Sequence, residues 1–388
     1  MGTRNFVRRA QQMLRDRGLS IRAASRAMSY DPAYLTRVLA GRQAPSGALA
    51  VALDRLLGAE GELLSLLAAA PRTDEPAAAP LVRISDVRGA ELARAIRETS
   101  QRLVVLDNED GGMPIADTAA YAFRTVHARL RCGDYEQPYD RDIRSAAAEL
   151  AEIAGWALFD AEKHDAAERY NDAALDLARA SGDRTMELLI LQNIAMVAEW
   201  RGQYRKALDT ASGVLVGRLS SRVRAMFLVR DAKGRFGTGD AAGGARALDQ
   251  ARVLLDDGAR DDDPAWAWWV SHQEIDGHLG YALWATGRQR EAVPHLRGAL
   301  ESAGSARVGY RSISTARLLD CLIHEGAWRE AEELAVGLHD TAGKTASART
   351  RNLLSASVRR GLPTAPPSAG HALEHLGHIV NSDPLSLD

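Results

Sequence analysis

The residues best equipped for chemistry in this chain are arginines, and they are unevenly placed. Residues 1–45 hold Arg4, Arg8, Arg9, Arg15, Arg17, Arg22, Arg26, Arg37 and Arg42 against only Asp16 and Asp31. The formal net charge of the 388-residue chain is −2, so this head carries a surplus of seven positive charges and the remainder nine negative ones. A basic head on an acidic body is the electrostatic footprint of a chain whose head meets nucleic acid and whose body meets something else. Catalytic constellations are missing from the sequence. GLHDTAGKT (337–345) has Leu338 where a phosphate loop needs its first glycine, and GTGDAAGG (237–244) does not follow a strand. No HExxH, G-x-S-x-G or CxxC occurs. His371, His375 and His378 share a helical face but lack a fourth ligand, so neither a metal nor any other cofactor is expected. Nothing assembles a nucleophile, base and oxyanion site, and no enzyme is expected.

The element that would position the head's arginines is SIRAASRAMSYDPAYLTRVLAG (20–41). Ser20 is an N-cap, and Ile21, Ala24, Ala27 and Met28 follow at helical spacing. Asp31-Pro32 starts a second short helix with Asp at the cap and Pro at the first helical position. Leu35, Val38 and Leu39 give that helix a buried stripe, and Gly41 ends it. Before this pair, Asn5 to Arg17 reads as a helix with Phe6, Ala10, Met13 and Leu14 on one face. After it, Ser46 caps a helix with Leu49, Leu53, Leu56 and Leu57 inward, and Glu62 to Ala70 is a fifth, very apolar one.

LSIRAASRAMSYDPAYLTRVLAGRQAP with its following apolar helix resembles the Cro/phage-repressor type (XRE family) of helix-turn-helix domain over about residues 4–70. The resemblance implies that the second helix of the pair enters a DNA major groove. It places Ala33, Thr36 and Arg37 against base edges with Pro32 close by. Arg37 could bind guanine O6 and N7 bidentately, and Ala33 and Thr36 could meet a thymine methyl. It places Arg22, Tyr34 and Arg42 near phosphates, along with the helix N-terminus at Ser20. Ile21 departs from the family, which often has a phosphate-contacting glutamine there. Ser25 stands for a packed alanine.

Composition bounds the rest. Aromatics are sparse, alanine, leucine and arginine abundant, and β-branched runs rare, so an all-α chain is expected. Cys132 and Cys321 form no disulfide framework, no apolar run reaches membrane-spanning length, and the N-terminus has no apolar signal region. A cytoplasmic protein without membrane contact is the expectation. PRTDEPAAAP opens a linker over 71–84. Connecting helices follow over 85–140. In the first, Leu92, Ile96, Thr99, Leu103 and Leu106 form a narrow seam. Two readings of that seam stay open: one side of a core helix, or part of a dimer contact.

From about residue 141 to 361 the chain repeats. Turn markers recur at Glu162, Gly202, Gly239, Gly287 and Gly326. Small residues follow five positions later at Ala167, Ala207, Gly244, Ala292 and Ala331. Others precede by seven at Gly155, Ala195, Ala232 and Gly280, with Leu319 the exception. Small residues at fixed places are what close-packed helix pairs need in order to stack as an α-solenoid. The frame resembles tetratricopeptide repeats, closest in GRQREAVPHLRGALESA, although the spacing is longer and Arg230-Asp231 interrupts the third repeat with charge.

Head and array together look like actinobacterial helix-turn-helix regulators with a C-terminal repeat domain, and more distantly like peptide-responsive regulators of Gram-positive bacteria. That resemblance implies a homodimer on a double-stranded operator. A peptide, small molecule or protein could occupy the repeat groove. Family geometry turns Asn193, Arg230, His278 and Arg317 toward the groove, with Gln192, Lys233, Glu274, Tyr281, Asp320, Trp156 and Trp284 nearby. The three tryptophans of DDDPAWAWWVS (261–271) are expected in the core. Residues 362–388 read as a Pro-rich link followed at most by a short terminal helix, and a flexible tail is expected. The alternative function is a protein-interaction scaffold whose head binds DNA without sequence preference.

Overall fold

A computed structural model describes residues 2–28, 32–40, 47–59, 62–63, 84, 87–108, 114–256, 258, 262–301, 308–343 and 345–382. Among them every regular element is helical and no strand occurs. The chain forms two compact units, Met1–Leu81 and Val82–Asp388.

The first unit contains α1 (Gly2–Asp16), α2 (Ile21–Ala27), α3 (Pro32–Leu39) and α4 (Gly47–Leu56). Phe6, Ala10 and Leu14, four apart on α1, are buried with Ala24 of α2 and Leu35, Val38 and Leu39 of α3. Leu49, Leu53 and Leu57 complete that core from α4 and the turn after it. Gly18 ends α1 at φ +62°, where a side chain would be strained. The expected fifth helix lies outside the described residues except for Glu62 and Leu63. Both tie back: Arg9 holds Glu62 through two bonds of 2.7 and 2.8 Å, and the Leu63 amide donates to Asp54 Oδ1 at 3.0 Å.

The second unit opens with α5 (Gly89–Asn108) and α6 (Ala116–Cys132), both packed on α7 (Asp140–Asp160). Leu92, Ile96 and Leu103 are buried in the same cluster as Ile143, Leu150 and Leu158 of α7. The seam read from the sequence is therefore a core stripe, already covered by this chain's own helix. Helices 85–140 belong to the second unit's core and do not bridge separate parts. Arg129 of α6 locks the preceding segment, donating to the carbonyls of Ile84 and Val87.

Helix pairs then stack. α7 pairs with α8 (His164–Ser181), α9 (Arg184–Trp200) with α10 (Tyr204–Leu215), and α11 (Ser221–Gly237) with α12 (Ala241–Asp256). α13 (His272–Ala285) pairs with α14 (Gln289–Glu301), and α15 (Val308–His324) with α16 (Trp328–Ala342). This is the packing of an α-solenoid. Each expected turn marker takes a left-handed conformation, Glu162 at φ +57° and Gly202, Gly239, Gly287 and Gly326 between +69° and +90°. A left-handed residue lets the chain reverse and meet orphan carbonyls: the Gly202 amide donates to Glu199 and the Gln203 amide to Ala198. The small positions are packing sites. A Cβ on Gly280 would lie 2.8 Å from Leu296 Cγ, and one on Gly155 would lie 2.7 Å from Asn171 Oδ1.

One expectation changes here. Residues 367–381 are not a flexible tail. They form α18 (Pro367–Asn381), which packs on α16 and on α17 (Ala348–Gly361) with Leu373, Leu376 and Val380 buried. The Pro-rich link is the turn of this sixth pair, and the apolar face behind it outweighs its composition. The tryptophan run is a short 3-10 turn, Ala265–Trp269, between α12 and α13. Trp266 and Trp269 pack against the core, and Trp266 Nε1 donates to the Thr185 carbonyl at 3.0 Å.

Candidate DNA interface and the inner polar belt

In the head, local chemistry fixes the orientation of α2 and α3. The Ser20 hydroxyl accepts from the Ala23 amide at 3.1 Å, so Ser20 caps α2 and is itself exposed. Ile21 is half-buried against the core, so at this place the chain uses an apolar anchor. Ser25 is fully buried and its hydroxyl has no protein partner. On α3 the buried residues Leu35, Val38 and Leu39 set the register. Positions 33, 36 and 37 then share the opposite face, and Thr36 is exposed there. Gln11 Nε2 of α1 donates to the Leu39 carbonyl at 2.6 Å, pinning the C-terminal end of α3. The backbone of Arg22, Pro32, Ala33, Tyr34 and Arg37 is helical; their side chains, and Arg42 altogether, lie outside the described residues. Two short helices, the second held by its apolar stripe with Thr36 exposed away from the core, are what a groove-reading element requires.

Residues 6–67 match the family of helix-turn-helix domains. The head is a helix-turn-helix domain. No curated protein matches the sequence closely enough to stand as a relative.

The second unit brings the other sequence candidates together, but inside it. α7, α9, α11, α13, α15 and α17 are the inner helices, each touching the next. Gln192, Asn193, Arg230, Lys233, Tyr281 and Arg317 are all buried, and Glu274 and His278 half-buried. They do not line an open, solvated face. Asn193 Nδ2 donates to Glu152 Oε1 at 2.6 Å, Gln192 Nε2 donates to Asn193 Oδ1, and Arg230 Nη2 donates to Gln192 Oε1 at 2.8 Å. Arg230 Nη1 and Lys233 Nζ both reach Glu199 Oε1, the first at 3.1 Å. The charged interruption of the third repeat is thus a paired one. Asp231 likewise takes Arg235 at 2.6 Å and the Ser212 hydroxyl at 3.2 Å.

Rings continue the belt. Lys233 Nζ lies 3.8 Å and the Arg317 guanidinium 4.1 Å from the Tyr281 ring centre. Trp200 stacks on Tyr281 with ring centres 6.1 Å apart, and Trp284 lies 5.8 Å from Tyr281. Trp284 Nε1 donates to Asp320 Oδ2 at 2.8 Å, and Asp320 also takes Arg360 and the Ser357 hydroxyl. Arg349 of α17 covers Phe159 at 4.6 Å and Trp200 at 5.1 Å. It also pairs with Asp160 of α7 at 2.9 Å, where Ser347 donates as well, while Asn352 bonds Glu162. The last inner helix therefore meets the first, and the belt passes through all six.

Burial shapes the charges. It pushes the Glu152 carboxyl up to about 7, against the lowering hydrogen bond from Asn193. Burial also holds the Lys233 amine well below its usual value, opposed by Glu199 and assisted by Arg230 and Arg317. The His278 ring is lowered by burial first and then by the same three cations.

Sequence reasoning missed Glu152, Asp160, Glu199, Trp200 and Arg349. A signal existed for three of them: Phe159-Asp160 and Glu199-Trp200 put an acid beside an aromatic just before a turn marker. Among the described residues no helix is long and apolar enough to cross a membrane.

Proposed function

We propose that this chain is a sequence-specific, homodimeric DNA-binding transcription regulator without enzymatic activity. Its second unit belongs with tetratricopeptide-type repeat domains and senses a ligand. The observation that carries the reading is the head: a basic helix-turn-helix domain in which α3 is held by Leu35, Val38 and Leu39 and presents the face that includes Thr36. Arg37 and Thr36 read bases there, with Ala33 and Pro32. Arg22, Tyr34, Arg42 and the capped end at Ser20 hold phosphates. One head covers only a half-site, so two copies are needed, about one helical turn of DNA apart. The resemblance to actinobacterial regulators supports the array as the controlling part.

Control would work by differential affinity: a ligand that prefers one arrangement of the array shifts how the paired heads are presented. Genome-wide mapping of bound DNA tests the reading. Bound regions sharing an inverted or direct repeat of a short motif support it. Bound regions without a shared motif overturn it in favour of a scaffold with a non-specific head.

A further inference from the structure

Glu199 sits at the centre of the inner belt in an unequal arrangement. Its Oε1 receives both Arg230 and Lys233, while its Oε2 is buried with no protein partner. A buried carboxylate kept only for structure gains from using both oxygens, since a buried, unmet acceptor costs about 1–3 kcal/mol. Lys233 and Arg317 both lie against the Tyr281 ring, and these two contacts hold the cations within about 8 Å of each other. Arg230 and Lys233 thus share one fully buried carboxylate, while Arg317 lies over the Tyr281 ring and half-buried Glu274 stands beside His278 at 3.7 Å. The surrounding walls are the Trp200, Tyr281 and Trp284 rings. Cations and flat rings converging on one carboxylate are the parts of a site for an aromatic acid.

We propose that Glu199 is an internal stand-in for the carboxylate of a small aromatic acid. In the bound state the ligand's carboxylate takes Arg230 and Lys233, its ring packs among Trp200, Tyr281 and Trp284, and Glu199 turns away. This deepens, and rests on, the sensing role proposed above for the second unit. The belt is filled by its own side chains in this state, so entry requires it to open. The junction of the first and last inner helices suits that step. It includes the side-chain pairs of Asp160 with Arg349 and Ser347 and of Glu162 with Asn352, which can part without unwinding a helix. Lys233, weakened as an ammonium by burial and by its cationic neighbours, exchanges the carboxylate of Glu199 for that of the ligand and so keeps an anion beside it.

Thermal unfolding of the full chain with benzoate, at constant ionic strength, tests this. Benzyl alcohol and phenyl phosphate serve as comparison ligands. Benzoate is expected to raise the unfolding midpoint of the wild type by several degrees at a hundredfold excess over Kd. The rise should be larger in Glu199→Gln, where the internal competitor has lost its charge, and absent in Lys233→Met. No rise in either wild type or Glu199→Gln overturns the proposal, as does an equal rise with benzyl alcohol. A rise with phenyl phosphate alone contradicts the carboxylate assignment. Gel shifts on the same preparations keep the two readings apart. Specific DNA binding without a benzoate effect removes only this inference, and a benzoate effect without specific DNA binding removes only the regulator.

Discussion

At the scale of single residues, one buried group and one half-buried group carry measurable consequences. Ser25 lies fully buried in α2 with an unpartnered hydroxyl. Ser25→Ala removes that hydroxyl and suits a helix interior better, so the head should gain about 1 kcal/mol. Slower hydrogen exchange of the α1–α4 amides would register it, with DNA affinity unchanged; faster exchange would refute it. Glu152 titrates near 4.5 when unfolded and near 7 when folded. The folded state then binds more protons between those values, so stability declines as pH rises through that window and remains lower above it. Glu149 nearby is also raised by burial and adds to the same slope. Glu152→Gln keeps an oxygen for Asn193 Nδ2. The variant should exceed the wild type by at most about 3 kcal/mol at pH 8 and match it at pH 4 in urea unfolding. Equal stability of the two at both pH values would show that burial does not hold the proton. Ser25 was legible as a packed position through the alanine that the resembling family has there, whereas Glu152, a glutamate among alanines, reads as surface until burial is known.

At the scale of elements, the sequence was most informative where backbone geometry restricts the choice of residue. The turn markers were legible because a left-handed reversal favours glycine, and Glu162 joined them through the spacing alone. The head was legible through its cap, its proline and the stripe of α3. α18 was not, because prolines before it and three histidines on it hid the apolar face of Leu373, Leu376 and Val380. That face makes a strong prediction. Leu373 is fully buried, and Leu373→Ala should cost 2–5 kcal/mol if α18 closes the array, read as a lower urea midpoint. A cost under about 0.5 kcal/mol, the level of a surface substitution, would return the segment to the status of a tail. The seam of α5 was legible as a stripe but not as to what covers it, since the same spacing serves a partner helix or α7.

For the whole molecule, the proposed function divides the work between the two compact units. Among its described residues the basic head has a small helical core and a helix face that includes exposed Thr36. The acidic array has an inner belt that links six helices through side chains alone, so a change at one place, such as Glu199, bears on neighbours from α7 to α17. Repeat arrays concentrate coupling between adjacent pairs, and a belt that also joins the first pair to the last adds a long-range constraint. Why charged residues should fill the inner face was not legible from the repeats, because their partners come from other pairs 31 to 189 residues away. The central claim, however, concerns what the head reads. Its most direct test is fluorescence anisotropy of the full chain on a DNA duplex recovered from genome-wide mapping and on a scrambled duplex, across a salt series, for wild type and Arg37→Ala. The account predicts that wild type prefers the recovered site at least a thousandfold at physiological salt. Arg37→Ala should lose about 1–3 kcal/mol on that site and little on the scrambled one. Equal affinity of wild type and variant for both duplexes, falling only with salt, would contradict it.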